Sequence, residues 1–235
     1  MDVLNFREPA SAWTHLCWLV FSVPASFLLF RRCRGQLVKQ LCFVVYGLSL
    51  TAGYGGSVFY HAIRLPHNVV EGPCQNVDFI GIYVMIAGNV TPLAVIALGG
   101  AWRRAVLSLA WGLATVGIAV RACDLHVSRG LSNCVYLGMG WGLVLCYFEL
   151  SRKLSHQRMG LLVLGGLIYS SGAVMNWLCW PRLWPGVFCH HDLYHLFIMA
   201  GTAVHFVFMW RTLAPYRPVP VVQPVARPAM ALLKT

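Results

Sequence analysis

Seven continuously apolar runs divide this chain of 235 residues and dictate what it can fold into. They extend approximately over 12–30, 38–62, 77–98, 105–120, 131–150, 159–180 and 193–213. A helix needs about 20 mostly apolar residues to cross a hydrocarbon core roughly 30 Å thick, and the runs are of about that length. Barrel strands would alternate apolar and polar residues over about ten positions, which these runs do not. The sequence therefore predicts an all-α polytopic membrane protein, a bundle of seven transmembrane helices. Charged residues make up 11 % of the chain, against about 25 % in soluble domains, too few for a water-facing surface. The net charge of +11 does not argue for nucleic acid, because bases spread between apolar runs are what orient membrane proteins.

Little chain is left for a soluble domain. Residues 1–10 carry Asp2, Arg7 and Glu8 and lack the basic start of a signal peptide, which predicts a retained first helix. After the seventh run, Pro215, Pro218, Pro220, Pro224 and Pro228 remove backbone donors. The expected organisation is a membrane domain over 1–213 and a disordered proline-rich tail over 214–235. Small residues, as in Gly138, Gly140 and Gly142 or Gly165 and Gly166, predict close helix approach.

Seven crossings put the amino terminus with loops two, four and six on one side. The other side receives thirteen of the eighteen bases, among them Arg31, Arg32, Arg34, Arg103, Arg104, Arg152 and Lys153. Positive charge stays cytoplasmic, so the amino terminus is expected outside and the carboxyl tail inside. The base-poor side holds six of seven acids (Asp2, Glu8, Glu71, Asp78, Asp124, Asp192) and seven of nine histidines (His15, His61, His67, His126, His190, His191, His195). A polar, metal-capable face is the simplest account of that asymmetry.

In His191-Asp192-Leu193-Tyr194-His195 the two histidines stand four apart, which in a helix places them about 40° apart around the axis and roughly 6 Å along it. Both rings can reach one ion, and a catalytic zinc takes three protein ligands plus an open position. His61 closes the second run and Asp78 opens the third, both at the membrane side where the seventh begins. The plainer alternatives are helix-end histidines against headgroups and Asp78 as a helix N-cap. Ser57, one turn before His61, is either a small packing residue or a partner that orients an imidazole.

Together the motifs Ser57-x-x-Tyr60-His61, Asp78-Phe79-Ile80-Gly81-Ile82 running into Ile86-Ala87-Gly88-Asn89-Val90-Thr91-Pro92, and His191-x-x-x-His195 with His205 ten residues on resemble the haemolysin III and progestin/adiponectin receptor family. Arg7-Glu8-Pro9 with Thr14-His15 resembles its haemolysin III branch in particular. The resemblance covers roughly residues 7–212. It implies a seven-helix bundle with zinc held by His61, His191 and His195, with Asp78 contacting water at the metal and Ser57 supporting the site. The wider superfamily includes alkaline ceramidases, which implies zinc-dependent hydrolysis of lipid amides or esters with a fatty acid as one product. Membrane lipids, including an acyl-lipid or sphingolipid substrate, are the expected partners. Two departures stand out. Phe79 occupies a position where Tyr or His is expected, and the adiponectin-receptor branch has its amino terminus inside, opposite to the charge distribution here. Two competing readings are a non-catalytic receptor or signalling protein with a structural zinc, and a haemolysin-type pore former. Polar groups clustered at one end argue against the pore.

Other candidates rank lower. Glu8 and His15, seven apart on one helical face, are expected to shape the pocket mouth or to start the first helix at the interface. Cys123-Asp124-x-His126 has metal-like residues in a short loop, and His205 reads as a buried histidine bonded to a neighbouring helix. Cys74, Cys123, Cys134 and Cys189 fall on the outer side, where a disulfide is possible but its pairing is unreadable. Gly53-Tyr54-Gly55-Gly56-Ser57 lacks the lysine of a phosphate loop, and close packing explains it. Asn89-Val90-Thr91 fits a glycosylation pattern but lies inside the third span.

Overall fold

The computed structural model describes residues 6–125, 127–184 and 187–217. Among them, seven helices are long and apolar enough to cross a membrane: α1 (Pro9–Arg32), α2 (Leu37–Ala62), α3 (His67–Ala97), α4 (Gly100–Ala122), α5 (Gly130–Ser151), α6 (His156–Trp177) and α7 (His190–Leu213). The described residues include one isolated bridge, Trp184 to Phe188, and no strand. Phe21, Leu48, Leu145 and Phe148 point outward and are well exposed, as lipid-facing side chains must be once the helices have satisfied their own backbone groups. Most of the expected disordered tail, 218–235, lies outside the described residues.

The spans differ at their ends from the apolar runs, the third most of all. The third begins ten residues before its run, because a helical turn (His67–Val69) and a π-helical turn (Val70–Cys74) extend Gln75–Ala97 backwards. The seventh begins at His190 rather than 193, so both histidines of the HxxxH pair are helical. The sixth ends at Trp177 rather than 180.

The innermost packing is between α2 and α3, and small residues permit it. A Cβ on Gly81 would stand 2.9 Å from the Ala52 carbonyl oxygen, and one on Gly56 would stand 3.0 Å from that of Val77. At Gly88 it would meet Ser49 Cβ at 2.2 Å. Gly88→Val is therefore expected to destabilise the bundle by about 1–3 kcal/mol through overpacking, read as a lower unfolding midpoint in detergent. The α6 and α7 pair uses the same device, with Gly165 facing His205, Gly172 facing Phe197 and Gly201 facing Tyr169. Gly138, Gly140 and Gly142 do not: a Cβ there would meet nothing within 4 Å, and the chain at Gly142–Cys146 is a 3-10 helix. Those three glycines leave room instead of closing it.

Buried polar groups then fix the register. Thr202 Oγ1 donates to the Ile198 carbonyl at 2.9 Å, so the hydroxyls of Tyr54 (2.6 Å) and Tyr169 (2.9 Å) donate to it and tie α2, α6 and α7 together. At the base-rich end, the Lys39 ammonium donates to the carbonyls of Ala214 and Tyr216, and Arg103 donates to the Leu98 carbonyl at 3.0 and 2.9 Å. Cations at helix carboxyl ends satisfy carbonyls that have no partner within the helix.

Candidate metal centre

At the opposite end the close pairing of α2 and α3 brings the last turns of α2 beside the turn of α3 that follows its π-helical segment. Ser57 and His61 come from α2 and Asp78 from α3, and all three are buried. Asp78 is not a helix N-cap. Cys74 occupies that position before Gln75–Ala97, and the π turn continues the helix past it. The Ser57 hydroxyl lies beside the Asp78 carboxylate.

The start of α7 is pinned by Asp192. Its Oδ2 accepts from the Cys189 backbone N–H at 2.8 Å, and its Oδ1 accepts from the Ser11 hydroxyl of α1 at 2.6 Å. With Asp192 held toward α1, the helical repeat turns His191 and His195 inward together. One ring nitrogen from each of His61, His191 and His195 lies within 4.8 Å of the other two, a grouping that could hold a metal ion. His191 Nε2 and His195 Nε2 are 3.1 Å apart, and the His61 ring centroid is 4.9 Å from that of His195.

The donors fit a cation. His61 is 0 % exposed and His195 2 %, so their nitrogens have been taken out of water. His61 Nε2 and His195 Nδ1 are nonetheless buried without a hydrogen-bond partner, an arrangement that costs roughly 1–3 kcal/mol per group unless something else engages it. Three neutral imidazoles are also the donor set that divalent zinc and its neighbours favour.

The surroundings are polar on one side and stacked on the other. A cavity of about 570 Å³ is lined by Glu8, His61, Asp78, Phe79, Asn176 and His191 among others. An apolar cavity of about 150 Å³ lies between α3, α5, α6 and α7, and Asn133 lines both. Glu8, ahead of α1, meets His61 Nδ1 at 2.5 Å, and its backbone N–H donates to the His61 carbonyl at 3.0 Å. Burial works to raise the Glu8 carboxyl, but the hydrogen bond from His61 and the positive charge of Arg7 help outweigh it and hold the group below the ordinary carboxylate value. Arg7 bridges Glu8 Oε1 at 2.9 Å and Glu71 Oε1 at 3.1 Å. His15 is not at the pocket mouth, since its ring stacks on that of His195 with centroids 3.8 Å apart.

The structure thus gathers Ser57, His61, Asp78, His191 and His195 at one end of the bundle. His205 stands apart and bonds the Leu162 carbonyl of α6 at 3.3 Å. Asp124 accepts from Asn76 at 2.8 Å, and its loop neighbour His126 lies outside the described residues. All nine cysteines are unpaired, and the Asn-x-Thr pattern is embedded in α3 with Val90 and Thr91 buried. Sequence reasoning missed Ser11, Asn176, and the buried Arg121, which donates to Ser132 at 2.7 Å and caps the Phe79 ring at 4.1 Å. Ser11 carries a usable signal, lying three residues after Glu8 and four before His15 on the same helical face.

Fold and site together define a multi-pass membrane protein with a three-histidine cluster at one end of its helix bundle. A family model described as haemolysin-III related matches residues 4–206. The chain is 31 % identical over 202 residues to the hemolysin-3 homolog of Bacillus subtilis (strain 168), covering 85 % of this chain and 91 % of that protein. It is likewise 31 % identical over 202 residues to hemolysin-3 of Bacillus cereus, covering 85 % and 89 %. The adiponectin receptor protein of Drosophila melanogaster is more distant, at 25 % over 218 residues, covering 85 % of this chain and 49 % of that one. The chain belongs to the haemolysin-III-related family.

Proposed function

We propose that this protein is a zinc-dependent hydrolase of lipid amides or esters, with His61, His191 and His195 holding the metal. The observation that carries the reading is the convergence of three imidazole nitrogens within 4.8 Å of one another, with two of the rings, His61 and His191, lining a cavity whose wall also carries Asp78. Zinc, when bound, supplies a Lewis acid that polarises a carbonyl oxygen and lowers the pKa of water at its open position to about 7. Asp78, supported by Ser57, takes a proton from the attacking water. As the oxygen of that water bonds to the acyl carbon, the bond to nitrogen or oxygen breaks and Asp78 returns the proton to the departing amine or alcohol. The apolar cavity lined by Met85, Leu93, Leu162 and Ile198 suits an acyl chain, and Asn133 lines both it and the polar cavity that carries Asp78. The base-poor end that carries the site faces outward, following the positive-inside bias.

The test is turnover. Purified protein in liposomes containing a ceramide or a glycerol ester is expected to release free fatty acid at a rate set by the protein. Saturable lipid binding with no product, in protein that carries its metal, would favour a receptor with a structural metal and rule out the hydrolase.

A further inference from the structure

A neutral imidazole has one proton and two nitrogens, so it can present a chosen nitrogen to a metal in only one of its two tautomers. Two residues in this chain make that choice. The Glu8 carboxylate only accepts, so at 2.5 Å it requires the proton on His61 Nδ1 and leaves the lone pair on Nε2, the buried nitrogen that has no protein partner. Asn176 Oδ1, 3.3 Å from His191 Nδ1, imposes the same tautomer and frees the Nε2 that faces His195. Glu8 grips His61 twice, through its carboxylate and through its backbone N–H to the His61 carbonyl. It also adds negative charge beside a cluster of neutral ligands, where a dication bound at the end of a lipid-embedded bundle would otherwise be poorly compensated.

We infer that Glu8 is a positioning residue of the metal centre, holding His61 in the tautomer and orientation that offer Nε2 to the cation, with Asn176 in the same role for His191. The inference rests on the metal reading above. Removing the outer partner of a metal-bound histidine typically weakens metal binding by about 10–100-fold. Glu8→Ala is therefore expected to weaken cobalt(II) or zinc binding by that factor in competition with a chromophoric chelator, and to shift the visible bands of the cobalt form. Glu8→Gln keeps an accepting oxygen without the charge and is expected to recover part of the loss. Arg7→Ala removes the contacts to Glu8 Oε1, to Glu71 and to the Tyr60 carbonyl but leaves the Glu8 oxygen that meets His61, Oε2, in place, and is expected to stay within a few-fold of wild type. Wild-type affinity and an unchanged cobalt spectrum in Glu8→Ala would overturn the assignment. So would an Arg7→Ala protein as weak as Glu8→Ala, because Glu8 would then only tether the amino-terminal segment. A wild-type protein that takes up neither metal would overturn the metal reading, and the inference with it.

Discussion

Asp78→Ala is expected to leave the metal in place and to lower acyl-lipid hydrolysis by roughly 10²–10⁴-fold, the usual contribution of a positioned acid-base group. The two readouts separate because Asp78 is not one of the three nitrogen donors. Its carboxylate is buried on the cavity wall beside His61, with Ser57 as its neighbour on α2. Ser57→Ala removes only that support and is expected to cost less. Fatty acid release and metal content measured on the same samples check both variants. An Asp78→Ala protein that retains full turnover would remove the proposed acid-base role.

His195→Ala is expected to have the largest effect on metal binding. Zinc binding free energies of about 10–16 kcal/mol, shared among the ligands, make one imidazole worth on the order of 4 kcal/mol, or about a thousand-fold in affinity. His195 is 2 % exposed, lies 3.1 Å from His191 and is backed by the His15 ring. No described carboxylate or thiol joins the cluster to replace it. Chelator competition on His195→Ala, with helicity measured as a control for folding, checks the outcome.

The spans and the core of this site were legible in the sequence because both depend on local pattern. Lipid demands continuous apolar runs, so seven of them announce seven helices. His61 and the His191–His195 pair were readable because each falls near the end of a run on the same side. Boundaries failed where polarity and helix part company. Glu71, Pro73 and Gln75 do not read as a membrane span, yet the π turn at Val70–Cys74 carries the helix through them and makes Asp78 an interior residue. Gly138, Gly140 and Gly142 read as a packing stripe but face open space, since whether a glycine is filled depends on the neighbouring helix. Asn176 was silent, and Ser11 showed only its helical face, because their partners, His191 and Asp192, lie 15 and 181 positions away. Only the packed bundle makes those pairs neighbours.

X-ray absorption at the metal edge of the purified wild-type protein tests the central claim most directly. The account predicts one divalent cation per chain with three imidazole nitrogens in its first shell at about 2.0–2.1 Å. A protein that carries no metal, or one whose metal shell lacks imidazole, would contradict it.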